Sequence, residues 1–223
     1  MSRRHSPAGT RLAGIRFSPR EKRDLLIAWL ALGVAFAIFF AGGANGTVRL
    51  LSTAGALGFA TAFVVSLVTA GLGFLLHELG HKVTAIKFDH VAEFRADNSM
   101  LFLAVMSAML GFIFAAPGAV YHRGRNVTER ENGLIALAGP IVNLGLSVIF
   151  LPILVLSIVL QSDLVFLVGQ RGVMINLFLA AFNLIPFGPL DGRTVLGWSP
   201  IVWGVVFLPT VALTLLALFG LGF

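Results

Sequence analysis

The sequence predicts an all-α polytopic membrane protein: about five transmembrane helices, a re-entrant or membrane-dipping segment, and a small strand region. Three observations predict it. Of the 223 residues, 57% are apolar and 12% charged, whereas soluble domains carry about 25% charged residues. Several runs without Lys or Arg approach the ~20 apolar residues needed to cross the hydrocarbon. Little sequence remains between them for a separate soluble domain of ordinary size.

In chain order, the first span is expected at about 25–42. The second begins near Ala56 and continues to about Phe88, carrying His77, Glu78 and His81 within it. A polar stretch at 89–99 follows. Within it, residues 91–97 alternate apolar and charged side chains with a period of two, which predicts a strand. The apolar run 100–116 has only 17 residues, contains Gly111, and is followed by Pro117-Gly118. It is read as re-entrant, because a crossing there would be short. A basic loop spans about 122–131. Further spans are expected at 133–160, at 173–187 (or from nearer Leu164), and at 201–223. The chain divides into a basic tail, 1–23, and one membrane domain, 24–223.

The distribution of charge orients these spans. Seven of the sixteen Lys and Arg lie in the first 23 residues, which predicts a cytoplasmic N-terminus. With 100–116 re-entrant, Lys82, Lys87, Arg95, Arg123, Arg125, Arg130 and Arg193 share that side. Only Arg49 and Arg171 fall outside. The net charge of +6 is therefore read as membrane topology and headgroup attraction, with no nucleic-acid partner expected. No small-residue cleavage site marks a signal peptide. Cysteine is absent, which excludes disulfides, iron–sulfur clusters, thiolate metal sites and cysteine nucleophiles.

The chemistry concentrates at Leu76-His77-Glu78-Leu79-Gly80-His81. Two His four residues apart on a helix face one side, a spacing that suits a single zinc ion. Glu78 projects beside them, in the His-Glu-x-x-His arrangement whose Glu serves as general base. Ionisable groups at membrane depth each cost on the order of 2.5–3.5 kcal/mol, so three within one apolar helix point to a site rather than to packing.

Zinc at a catalytic site takes three protein ligands and leaves a position open. His5, His90, His122, Glu93, Asp97, Glu129 and Glu131 lie in the tail or in polar loops. Asp191 follows an apolar helix in Asn183-Leu-Ile-Pro186-Phe-Gly188-Pro189-Leu-Asp191-Gly192-Arg193. Its two Pro break the helix and its two Gly allow tight turns, so this carboxylate can fold back toward a buried site.

On these motifs the chain resembles the site-2 protease family of intramembrane zinc metalloproteases. The resemblance rests on Phe74-Leu-Leu-His77-Glu78-Leu-Gly-His81, on Leu137-Ala-Gly139-Pro140-Ile-Val-Asn143, and on Asn183-Leu-Ile-Pro186 with Leu190-Asp191-Gly192. It covers a core of about 57–196. It implies one zinc per chain held by His77, His81 and Asp191, with Glu78 as catalytic base. It also places Asn183 near the reacting carbonyl, or as an amide that caps backbone freed beside Pro186. Asn143 reads as a packing residue beside Gly139 and Gly145. No inserted peptide-binding domain of the kind some relatives carry is visible.

The expected function is hydrolysis of peptide bonds in transmembrane protein substrates, with the site toward the cytoplasmic half of the bilayer. The 91–97 strand is a candidate edge for a substrate strand, or a cover over the site. A catalytically silent zinc-binding scaffold is the first alternative, although Glu78 is superfluous to it. A divalent-metal transporter is the second, although paired repeats and broken helices in both halves are missing.

Overall fold

The computed structural model describes residues 10–12, 15–114, 117–124 and 126–221. A short hairpin, β1 (Thr10–Leu12) and β2 (Ile15–Phe17), precedes α1 (Pro19–Phe40). Ser18 caps α1 by accepting the Glu21 amide at 3.1 Å, with Pro19 at the first helical position, where its missing N–H costs nothing. The end of the basic segment is thus part of the fold, and Glu21 is fully buried.

A continuous helical stretch, Gly43–Lys87, follows. At about 68 Å it is twice the hydrocarbon thickness, and it breaks at Gly55, whose φ of 65° and ψ of −164° are not helical. We denote it α2 (Gly43–Ser66), a π-turn at Leu67–Gly71, and α3 (Leu72–Lys87). The span expected to start near Ala56 therefore has a helical forerunner rather than a loop. The Trp29 indole donates to the Leu67 carbonyl at 3.0 Å, inside the π-turn; such turns concentrate at functional sites.

β3 (Val91–Ala96) forms where the alternation predicts it. It pairs antiparallel with β4 (Gly118–Arg123), in register Phe94↔Val120. Between them α4 (Asn98–Met109) is capped by Asp97 and runs for 12 residues, about 18 Å, too short to cross. The Asp97 amide donates to the Pro117 carbonyl at 3.0 Å, so the excursion starts and ends on one hydrogen-bonded pair. A segment that leaves and rejoins one sheet without a helix long enough to cross is compatible with the expected re-entrant reading. The region read as a basic loop instead starts inside β4.

α5 (Glu129–Leu160) opens with a reciprocal Thr128–Glu131 capping box. It is followed by α6 (Asp163–Asn183), α7 (Asp191–Trp198) and α8 (Pro200–Leu221). Five helical stretches are long and apolar enough to cross a membrane, which makes this an all-α multi-pass membrane fold. α5 and α6 form the most extensive pair, and α3 crosses α5. At that crossing Gly139 lets the backbone of α5 pass against the two imidazoles: a methyl there would stand 2.5 Å from both Nε2 atoms.

Candidate metal centre

Consecutive turns of α3 bring His77 and His81 together, with their Nε2 atoms 3.0 Å apart and their rings at 84°. Asp191, the first residue of α7, places Oδ2 3.2 Å from His77 Nε2 and 3.3 Å from His81 Nε2. The turn that brings it there passes through Gly188 at φ 60°, a conformation glycine adopts without strain. All three expected ligands meet.

The hydrogen bonds behind the imidazoles fix their tautomers. His81 Nδ1–H donates to the Ile135 carbonyl at 2.7 Å. Asn143 donates through Nδ2 to the Gly73 carbonyl at 3.1 Å and to Asn176 Oδ1 at 2.9 Å. Its Oδ1 therefore accepts from His77 Nδ1–H, at 2.6 Å. Both Nε2 atoms are left with lone pairs, and those lone pairs face the Asp191 oxygen. That oxygen is buried and has no hydrogen-bond donor among the described residues. Three lone-pair atoms 3.0–3.3 Å apart repel one another unless a cation lies among them. A tetrahedral zinc with bonds of about 2.0–2.2 Å spaces its ligands roughly 3.3–3.6 Å apart, close to this triangle. The donor set fits a zinc ion with one position free.

Glu78 is 7% exposed and its Oε2 has no hydrogen-bond partner among the described residues. The backbone amide of Val120 on β4 lies on the carboxylate's side of the sheet. His77, Glu78 and His81 cluster closely enough to offer a metal site on their own. Asp191 is nevertheless the better third ligand, because it contacts both imidazole nitrogens while Glu78 is held toward β4.

Two cavities meet at this point. One, of about 130 Å³, is walled by Leu32 and Phe36 of α1 and by Phe178 and Phe182 of α6. The other, of about 300 Å³, is lined by His122, Asn132 and Thr194. His77, Glu78, Gly118, Ala119, Asn183 and Pro189 border both. The His122 ring lies nearly parallel to that of His90, their Nδ1 atoms 3.2 Å apart. Burial and the His90 ring push the His122 pKa down. Asn183, the last residue of α6, donates to the Leu179 carbonyl one turn back on its own helix at 2.9 Å, and it borders both cavities.

Sequence reasoning missed the part played by Asn143. A fully buried amide in an apolar span, one turn beyond Gly139, was the available signal. The remaining loop candidates, His90, Glu93, Asp97, Glu129 and Glu131, take no part in the metal cluster. His5 lies outside the described residues.

The fold and centre define a multi-pass membrane protein built around a buried His–His–Asp site with an adjacent carboxylate. Comparison with known proteins agrees. The chain is 38% identical over 205 residues to “Putative zinc metalloprotease MJ0611” of Methanocaldococcus jannaschii, covering 92% of this chain and 97% of that protein. It is 36% identical over 141 residues to the similarly named Rip2 of Mycolicibacterium smegmatis, covering 57% of this chain and half of that relative's length. It is 29% identical over 144 residues to YwhC of Bacillus subtilis, again so named, covering 58% and 66%. No family profile and no solved structure matches the chain. The chain belongs to the site-2 protease family, to which these relatives belong.

Proposed function

We propose that this chain is an intramembrane zinc metalloprotease that hydrolyses peptide bonds of transmembrane substrates. Three lone-pair atoms from stretches more than 100 residues apart converge beside a buried, half-unpartnered carboxylate, and that observation carries the reading. His77, His81 and Asp191 hold one zinc. The ion supplies Lewis acidity, polarising a carbonyl and acidifying water. Glu78 takes the proton of the attacking water as the C–O bond forms. It returns that proton to the amide nitrogen as the C–N bond breaks. Asn183, at the junction of the two cavities, donates to the carbonyl oxygen as charge develops there.

The cavities divide the traffic. The apolar opening between α1 and α6 admits a substrate segment from the bilayer, and the polar cavity beside His122 and Asn132 admits water. The N-terminus and the polar cavity lie on the cytoplasmic side, a placement the charge distribution supports, and residues 24–223, with 15–23 packed into them, act as one catalytic unit. An extended substrate adds to a sheet edge, and that edge is β4. The outward amide of β3 at Phe94 is bonded to Glu21 Oε1 at 3.0 Å, whereas β4 turns its free edge to Glu78 and borders both cavities. Residues 91–97 thus support the substrate strand rather than bind it.

The test is a cleavage assay in detergent with a transmembrane substrate. Glu78→Ala is expected to lower kcat by at least about 10²–10⁴-fold while still binding one zinc, and a chelator is expected to silence the wild type. Undiminished cleavage by Glu78→Ala would refute the mechanism.

A further inference from the structure

The end of α6 away from the metal centre holds a second polar feature. Arg171 lies about 18 Å along α6 from Asn183, inside a membrane-spanning helix. Its guanidinium stands 4.2 Å over the Phe40 ring. Among the described residues no carboxylate lies within 4.0 Å of it, nor of Arg49. A cation at membrane depth without a counter-charge is costly, and such residues mark ligand sites. Both arginines line a single cavity of about 380 Å³ between α2 and α6. They are also the two basic residues that the charge distribution leaves on the outer side.

We infer that this cavity binds the phosphodiester headgroup of an anionic phospholipid. Two guanidiniums offer planar, charge-assisted donors matched to phosphate oxygens. The two threonines in the wall compete little for that role. The hydroxyl of Thr53 donates to the Arg49 carbonyl at 2.9 Å, and that of Thr61 to the Leu57 carbonyl at 3.0 Å, so the arginines are the donors free for an anion. Leu50, Val65 and Leu167 complete the wall. Val48, Leu51 and Leu57, each next in sequence to a wall residue, and Leu164, one turn before Leu167, are exposed, apolar surface suited to acyl chains and unsuited to a hydrated ion. The break at Gly55 sets the two halves of α2 at an angle around this space. A zwitterionic headgroup would bring its own ammonium against the second arginine, so the anionic class is favoured.

The experiment uses the purified full chain in detergent, titrated with phosphatidylglycerol, phosphatidylcholine or inorganic phosphate and read by native mass spectrometry and by melting temperature. One phosphatidylglycerol is expected to bind about tenfold tighter than phosphatidylcholine, with no matching effect of inorganic phosphate. Arg171→Gln and Arg49→Gln should each collapse that preference, and Arg171→Lys should keep part of it. The basic N-terminal tail is the same in every variant, so the difference reads the cavity alone. Arg49 is exposed, so Arg49→Gln serves even where Arg171→Gln fails to fold. Equal binding of the two lipids, a preference unchanged in Arg49→Gln, or inorganic phosphate binding as tightly as phosphatidylglycerol would overturn the inference. Zinc content and peptide cleavage do not enter these readouts, so the outcome is separable from that of the protease assay.

Discussion

Asn143 settles which nitrogen of His77 faces the centre. Its amide is pinned by the Gly73 carbonyl and Asn176, so its oxygen can only accept, and Nδ1 of His77 must donate. Partners of this kind behind a ligating histidine typically account for 10–100-fold in metal affinity. Asn143→Ala should therefore weaken zinc binding by about that factor, measured by competition with a chromophoric chelator, while Asn143→Asp, which keeps an acceptor, should lose less. The side chains that converge here were legible in the sequence, because His and Glu in an apolar helix have no cheaper explanation and Pro186 and Pro189 mark where a helix stops. Asn143 was not legible in that way. An amide in a membrane helix is compatible with helix packing as much as with ligand support, and only the position of the crossing with α3 decides between them.

The elements around the site are tied together by one buried ion pair. Lys82, the residue after His81, donates to both Glu21 oxygens at 2.5 and 2.6 Å and to the Arg16 carbonyl at 2.7 Å. Its ammonium also lies 4.1 Å from the centre of the Phe17 ring. The same glutamate receives the Phe94 amide, so α1, α3 and β3 share one carboxylate. Removing one partner of a buried pair costs about 3–5 kcal/mol, while replacing both with apolar groups is often neutral. Glu21→Ala should destabilise the protein by about that amount in chemical unfolding, and Glu21→Leu with Lys82→Met should recover most of it; equal losses in the two proteins would argue against the pair as the cause. The strand at 91–96 was readable because its alternation is local. Its partner at 118–123, Gly-Ala-Val-Tyr-His-Arg, carries a weaker pattern, and its conformation is set by pairing with β3. The helical turns of 43–54 were hidden by Gly43, Gly46 and Asn45, residues that discourage helix when read alone.

At the scale of the whole molecule the centre joins α3 to α7, and the topology follows from that meeting. His77 and Asp191 share one ion only if the number of crossings between them is even, which the re-entrant α4 allows and a spanning helix would forbid. The sequence carried this through its charges: the basic residues at 82–130 and at 193 fall on one side only with that count. Because the ligands come from distant stretches, the unfolded chain cannot reproduce the site, and zinc binds the folded state selectively. A ligand at 1,000 times its Kd then stabilises by about 4.1 kcal/mol, so chelation should lower the melting temperature by several degrees. Asp191→Ala should melt at the same temperature with and without chelator, because the joint is already cut. Glu78→Ala, which leaves the joint whole, should keep the full chelator-dependent shift despite its lost activity. A chelator shift that persists in Asp191→Ala would place the stabilising metal elsewhere and separate the ends of α3 and α7 as independent elements.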